Sequence, residues 1–448
     1  MRRLWVANCN SEYMVDRLDL LDRRELEVTP VVAARMVWLL RDGDAMVMAQ
    51  PLDRAFVAQV GALMGFDAQK IDLITPGDAG VRVLDQEVLH RPALVSRLRE
   101  LVAEPGEWEI RGYLSDRGID ALARALGLGQ GAVSGFDAAG GAELFNSKTV
   151  FRAMAAGLGI PVPDGAVCST RGDLERALDR LAAVTGAVIV KADRCGGGAG
   201  NLLCRADPGI PMSGTLAVRP LTGQEDRAAI LAHTGLAATH APHGQVVVEV
   251  YHPGCRSLCL EVDCPAPGDG PPRLLSFGEM LMEPAINGFV MPAQDLPDPV
   301  RKEVADQALR LATSMRDFGY RGLVNIDAII SPGGQVWFNE VNARLGGGTH
   351  LHHLAAHLLG PHWARHHVLV SRDDLPAAGI PQLLSALQDH HLAFDPATAT
   401  GVVITGDDTL NRGTAEYAVL APDLPAARHL ETRLRPLTSA AAAAGNLP

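Results

Sequence analysis

Residues 323–344 read LVNIDAIISPGGQVWFNEVNAR, two apolar strands joined by a Gly333-Gly334 turn of the kind that closes a hairpin. Leu323, Val324, Ile326, Ile329, Val336 and Phe338 have the character of buried residues, yet Asp327 sits among them on the first arm. On the second arm Glu340 and Asn342 are two apart, so the period of a strand puts both on one face. The turn folds that arm back, and Asp327 reaches the same face. Buried carboxylates are costly unless a cation or hydrogen bonds compensate them. Two carboxylates and an amide oxygen form a hard, all-oxygen set suited to Mg²⁺, which leaves further positions for phosphate oxygens and water. A hairpin with an acid on each arm is more often a solvated face, and from the hairpin alone both readings stand.

A second constraint comes from lysine. Only Lys70, Lys148, Lys191 and Lys302 occur among the 40 basic residues, so composition does not explain a lysine in a buried place. Lys191 ends the apolar run 187–190 and precedes Cys195-Gly196-Gly197-Gly198-Ala199-Gly200-Asn201. A glycine run there exposes backbone N–H groups that can cradle phosphate, and the alternative is a flexible turn. The spacing is neither that of a P-loop nor that of a kinase, where the glycine loop precedes the lysine. Lys148 opens a helix over 148–156, with Asn146 and Ser147 as candidate caps and Gly157, Pro161 and Pro163 as stops. There it adds positive charge beside a helix N-terminus, or stands as an ordinary surface lysine.

The surroundings are those of a multi-domain α/β chain. At 448 residues about three domains are expected. The net charge of -12 argues against general nucleic-acid binding, which needs a surplus of Lys and Arg. No apolar run reaches the roughly 18–20 residues of a membrane span, and the N-terminus lacks the pattern of a signal peptide. Seven cysteines without a C-x-x-C fit a reduced, cytoplasmic compartment. Strands at 4–7, 45–49, 71–74 and 108–113 alternate with helices at 31–40, 55–64, 92–102 and 119–126, which predicts a parallel sheet. The glycine-rich stretch 127–141 follows a helix and lacks G-x-G-x-x-G, so it reads as a linker. Beyond it, helices are expected at 173–183 and 300–318, and strands at 246–250 and 257–262. A small unit from about 374 holds strands 401–405 and 415–420 and a helix near 425–434, before a low-complexity tail from 440.

Taken in order, Lys148, Lys191 with its glycine loop, Glu249 with Pro253-Gly254, and Asp327, Glu340, Asn342 and Arg344 resemble the ATP-grasp ligases. The D-x(12)-E-x-N spacing resembles that family's magnesium motif, and NSKTVFRAMAAGLGIPVP the helix of its first phosphate lysine. VIVKADRCGGGAGN is similar to its second lysine and phosphate loop, and VVVEVYHPG to the hinge that reads adenine. The resemblance spans about residues 143–360. It implies α/β and α+β classes: a pre-ATP-grasp α/β domain at 1–140, a lid subdomain at 141–252, a large subdomain with the metal site at 253–374, and a small C-terminal α+β unit at 375–448. It further implies ATP and Mg²⁺, with Lys148, Lys191, Gly196, Gly197 and Gly198 on the phosphates. Glu249, Val250 and Tyr251 would hold adenine, and Asp327, Glu340 and Asn342 the metal.

The EVNARLGGGTHLHHL segment, the divergent N-terminal domain and the C-terminal unit are similar to the pheganomycin-type peptide ligases of antibiotic biosynthesis. That likeness implies activation of a small-molecule acid, a guanidino-bearing amino acid, as an acyl phosphate, followed by attack of a peptide amine. Two positions depart from the wider family. Arg256 stands where an acidic residue usually meets the ribose, and Asn325 where D-alanine-type ligases often have arginine. Arg344 and Lys191 are then the expected catalytic residues, Arg344 facing the oxyanion with backbone N–H groups from 346–348. A homodimer is the default assembly. A phosphotransferase using the same cleft, or a nucleotide-binding subunit without chemistry, are the alternative functions. His350 is expected near substrate, and the other histidines up to His367 as packing or surface residues. His353 and His357 have zinc-pair spacing without the H-E-x-x-H glutamate. Cys195, without a His/Asp partnership, reads as a loop residue.

Overall fold

The computed structural model describes the chain apart from residues 16–17, 19–20, 22–25, 28, 78–79, 129–133, 197, 199, 235–243 and 445–448, and gives only the backbone of 437–444. Strands β1 (Arg2–Val6), β2 (Ala45–Val47), β3 (Asp72–Ile74) and β4 (Trp108–Gly112) form a parallel sheet ordered β3-β2-β1-β4. The expected alternation is observed, with helices Val31–Val37, Arg54–Met64, Pro92–Leu101 and Arg117–Ala125 between or after the strands. Strand order reverses at β1, beside β4. Open α/β sheets bind ligands beyond the strand ends at such a switch point. Here those ends carry Cys9 and Tyr113. The 127–141 stretch expected as a linker contains a short helix, Gly135–Ala138, and leads into Gly141–Phe145.

The second sheet contains β5 (Gly165–Cys168), β6 (Ala187–Ala192), β7 (Asn201–Arg205), β8 (Ala217–Pro220) and β9 (Val246–Val250), ordered β5-β9-β6-β7-β8. Val188, Val190, Val246, Val248 and Val250 pack with Leu174, Leu178 and Leu181 of the Arg171–Thr185 helix. That helix starts with a reciprocal capping box between Thr170 and Asp173. Because side chains alternate across a strand, Ile189, Lys191 and Glu249 occupy the opposite face, toward the cleft.

The third sheet is antiparallel and runs β14-β13-β10-β11-β12-β15-β17-β16. Its strands are β10 (Arg256–Cys264), β11 (Arg273–Met282), β12 (Ile286–Met291), β13 (Gly322–Ile330), β14 (Val336–Asn342), β15 (Val368–Pro376), β16 (Gly401–Asp408) and β17 (Thr414–Ala421). Val304, Ala308, Leu311, Ala312 and Met315 form the buried stripe of the Asp298–Phe318 helix, which belongs to the same core as β10 and β13. The boundary drawn at 374/375 falls inside β15, and β12 bonds β15 directly. The C-terminal strands therefore extend the large sheet instead of starting another. The alanine run from 440 continues the Leu424–Ala444 helix, in keeping with alanine's high helix propensity.

First and last units also pack together. Trp38 is fully buried and its Nε1 donates to Thr405 O at 2.9 Å, Gln59 donates to Ile404 O at 2.8 Å, and Arg35 meets Glu416. No disulfide joins any of the seven cysteines, and no described helix is long and apolar enough to cross a membrane.

The β12–β15 seam tolerates no side chain at Gly288, where a Cβ would lie 2.0 Å from the carbonyl oxygen of Ser371. Gly288→Ala is expected to destabilise the protein by about 1–3 kcal/mol or more through overpacking. Gly106→Ala, with nothing within 4 Å, should be close to neutral. Thermal unfolding followed by circular dichroism compares them.

Candidate active site

In the β13–β14 register Asp327 lies opposite Glu340 and Asn325 opposite Asn342, with an irregularity between Asp327 and Ala328. Asp327 and Asn342 are buried. Asn342 Nδ2 donates to Asp327 Oδ2 and to Glu340 Oε1, each at 3.3 Å, so the three expected metal residues converge. Asn342 Oδ1 instead accepts from Arg344 Nη2 at 2.7 Å. A half-turn of this amide would exchange its oxygen and nitrogen at nearly equal shape. Burial, and then the neighbouring Glu340 charge, push the Asp327 pKa well above the usual carboxylate range. Burial also works against ionised Glu340, but Lys148 and Lys191 outweigh it and hold its pKa at about 2. A proton is favoured on Asp327, because two carboxylates this close cannot both ionise cheaply. A divalent cation removes that conflict, and the carboxylate–amide donor set fits Mg²⁺. Among the described residues no group of three His, Cys, Asp or Glu is placed to hold a metal, which leaves the His353/His357 spacing without partners.

Lys148 begins the Lys148–Gly157 helix, capped by Ser147, whose side chain accepts from Val150 N. Asp193 adds bonds to the same turn from Thr149 N at 2.8 Å and Ser147 Oγ at 3.0 Å. The Lys148 side chain is buried, and its Nζ stands 3.2 Å from Glu340 Oε2 and 2.9 Å from Cys195 O. It links the lid loop to the hairpin. Lys191 Nζ lies 2.6 Å from Glu249 Oε2. Glu249's other oxygen takes Arg152 Nη1 at 2.6 Å. Both Glu249 oxygens are therefore engaged within the protein, where an adenine contact was expected. Arg152 was not singled out from sequence, although it follows Lys148 by one helical turn.

The hinge differs in the same way. Val250 N donates to Asp164 O at 2.8 Å and Tyr251 N to Ala187 O at 3.1 Å, while Tyr251 O accepts from Thr185 Oγ1 at 2.8 Å. β9 is interior to its sheet, bonded by β5 and β6, and these main-chain groups at its end are consumed by neighbours. Val250 and Tyr251 line the cavity but do not offer those N–H groups to it. The Arg256 guanidinium grips Glu279 at 2.9 and 2.6 Å.

In the glycine loop after β6, Gly196 meets Arg344 so closely that a Cβ would stand 3.0 Å from Nη2. Gly198 has φ +81° and would put a Cβ 2.8 Å from Gly214 O, so that position requires glycine. Gly197 lies outside the described residues. Arg344 Nη1 donates to Tyr113 Oη at 3.2 Å and to Leu345 O at 3.1 Å. Its buried Nε has no partner. Gly346 N, expected to face an oxyanion, donates to Thr349 Oγ1 at 2.8 Å, and that hydroxyl is bonded in turn to buried Glu261. Gly346 N is thereby taken up within the protein.

Lys191, Glu249 and Tyr251 of the second sheet, the hairpin residues Asp327, Glu340 and Asn342, and Arg35 and Tyr113 of the N-terminal sheet domain wall one cavity of about 1000 Å³. The family model described as the pre ATP-grasp domain matches residues 33–128, and the one described as the PGM1 C-terminal domain matches 382–434. No curated protein sequence matches. Among solved structures, biotin carboxylase from Campylobacter jejuni in complex with β-γ-ATP is similar over 97% of this chain and 90% of its own, with TM-score 0.61 at 13% identity. N5-carboxyaminoimidazole ribonucleotide synthetase from Thermus thermophilus covers 98% and 99%, with TM-score 0.56 at 15% identity. The ADP and 5-aminoimidazole ribonucleotide complex of N5-carboxyaminoimidazole synthase from Aspergillus clavatus covers 98% and 99%, with TM-score 0.56 at 12% identity. The architecture is a pre-ATP-grasp domain followed by an ATP-grasp fold and a C-terminal extension.

Because Asp327 keeps its proton above the usual carboxylate range, magnesium binding should displace it, and affinity should rise with pH by up to about tenfold per unit while the proton is held. The sign for stability is opposite. A raised folded-state pKa stabilises the metal-free protein below the unfolded carboxylate value and loses that contribution as pH rises through the folded value. Calorimetry of Mg²⁺ binding in buffers of different ionisation heat measures the released proton. Asp327→Asn should abolish both the release and most of the affinity.

Proposed function

We propose that this chain is an ATP-dependent, ADP-forming carboxylate–amine ligase that joins an amino-acid carboxylate to the amine of a peptide through an acyl phosphate. The observation that carries this reading is the meeting of Asp327, Glu340, Asn342 and Arg344 at one cavity wall, with Lys148 bonded to Glu340 and Lys191 on the facing lid. Cations from two sheets and an oxygen donor set converge where a polyphosphate and its metal need them. Asp327, Glu340 and Asn342, after its amide turns, would hold Mg²⁺, which when bound offsets charge on phosphate oxygens and developing acyl phosphate. Lys148 and Lys191 position the polyphosphate, and Glu249 with Arg152 holds the Lys191 ammonium in place. The loop through Gly196 and Gly198 covers Arg344 and excludes water, which matters for an intermediate that hydrolyses readily. Arg344, held in orientation by Tyr113 and by the Leu345 carbonyl, faces charge developing on the acyl oxygen. The likeness to pheganomycin-type ligases supports a guanidino-bearing amino acid as donor, a peptide as acceptor and a role in antibiotic biosynthesis in the cytoplasm.

The test is ADP release across carboxylic acids crossed with amines and short peptides, with mass spectrometry of the products. Amine-dependent release with an amide product is the expected result. A phosphorylated small molecule formed without any amine would identify a phosphotransferase, and nucleotide binding without turnover under every mixture a non-catalytic subunit. Glu340→Gln and Lys191→Ala are each expected to lower turnover by about 10²-fold or more, as losses of preorganised charge do.

A further inference from the structure

Beyond the hairpin, the cavity reaches a place where polar nitrogen atoms are left without partners. His350 follows the 346–348 glycines in the first turn of the Thr349–Leu359 helix and is 4% exposed, yet neither ring nitrogen has a hydrogen-bond partner. It lines the cavity. A buried imidazole without partners loses its hydration and gains nothing in return, unless a ligand supplies the bonds. Burial, with the charge of Arg35 second, holds its pKa well below the ordinary histidine value, so it stays neutral and offers one donor and one acceptor.

Arg35 comes from the Val31–Val37 helix of the N-terminal domain. Its Nε and Nη2 bind Glu416 of β17 at 2.9 and 2.5 Å. Nη1 is not used in that pair and comes within 3.7 Å of where a Cβ on Gly347 would stand. Tyr113 and Cys9 feel both the Arg35 and the Arg344 charge, so the two guanidinium groups flank the same spot. The N-terminal end of the Thr349–Leu359 helix adds partial positive charge.

The geometry points to a carboxylate subsite formed by the His350 imidazole and the Nη1 edge of Arg35, which positions the acid donor beside Arg344. This rests on the ligase reading and deepens it. A carboxylate matches the arrangement because it accepts from the imidazole N–H and from guanidinium N–H together, while Glu416 keeps Arg35 from turning away. His350 and Arg35 are thus positioning residues, one from the segment that follows β14 and one from the N-terminal domain. The N-terminal domain then takes part in substrate recognition as well as in packing.

The experiment follows the His350 imidazole in protein labelled with ¹³C at histidine Cε1, its resonance assigned by its absence in His350→Asn. Acetate, glycine and glycinamide are the probes, each titrated into the wild-type chain. Acetate and glycine are expected to shift the signal and glycinamide to leave it in place. Arg35→Lys retains the charge but lacks the fork, and should weaken the acetate response by about tenfold or more. Absence of a carboxylate-dependent shift, a response to glycinamide equal to that of acetate, or an unchanged acetate response in Arg35→Lys would overturn the subsite. ATP binding to the wild-type chain is measured in parallel. Failure to bind ATP defeats the ligase reading itself, whereas intact ATP binding with no carboxylate response defeats only the subsite.

Discussion

The repulsion between Asp327 and Glu340 is the interaction on which the site is organised. Two carboxylates on facing hairpin arms would separate if the apolar residues beside them were not fully committed to the core. Val324, Ile326, Ala328 and Phe338 are all fully buried, and they hold the register that opposes the acids. Lys148 answers one of the two charges from another subdomain, and a proton or a divalent cation must answer the other. The cohesion of lid and hairpin is thereby tied to the same electrostatics that would hold a nucleotide's metal.

Three bodies contribute walls to one cavity, and each does so for a reason of its own topology. The parallel sheet presents the ends of β1 and β4 at its switch point, which delivers Cys9 and Tyr113. The lid sheet presents the face not covered by the Arg171–Thr185 helix, which delivers Lys191 and Glu249. The large sheet presents the end of β14, where Arg344 leaves the strand and turns into three glycines. Their mutual orientation is secured far from the chemistry, by Trp38 against β16 and by Arg35 against β17.

Local patterns gave away the elements whose signals are short-range. The four parallel strands, the capped Lys148–Gly157 helix and the Gly333-Gly334 hairpin follow from alternation, caps and turn residues. β11, β12 and β15 were not anticipated, and the reason is visible in β15. Ser371 and Arg372 interrupt its apolar run, and they are buried because Phe289 N and Asn287 Oδ1, 82 and 85 residues away, bond to them. Polar residues made acceptable by distant partners look like a loop when read locally. The internal partners of Glu249 and Tyr251 escape sequence reading for a related reason: Lys191, Arg152, Ala187 and Thr185 bond them, and no spacing rule counts such competitors.

The amino-acid order alone determined which side chains share a face. Strand alternation aligns Glu340 with Asn342, and the turn brings Asp327 opposite, because those relations depend only on backbone geometry over a few residues. Tertiary structure decided which of these groups remain free to bind. It committed Gly346 N to Thr349, Arg35 to Glu416 and Glu249 to two cations, and left His350 buried without a partner. Hydrogen-bonding capacity is finite and is settled by whichever group, however remote in the chain, arrives within bonding distance.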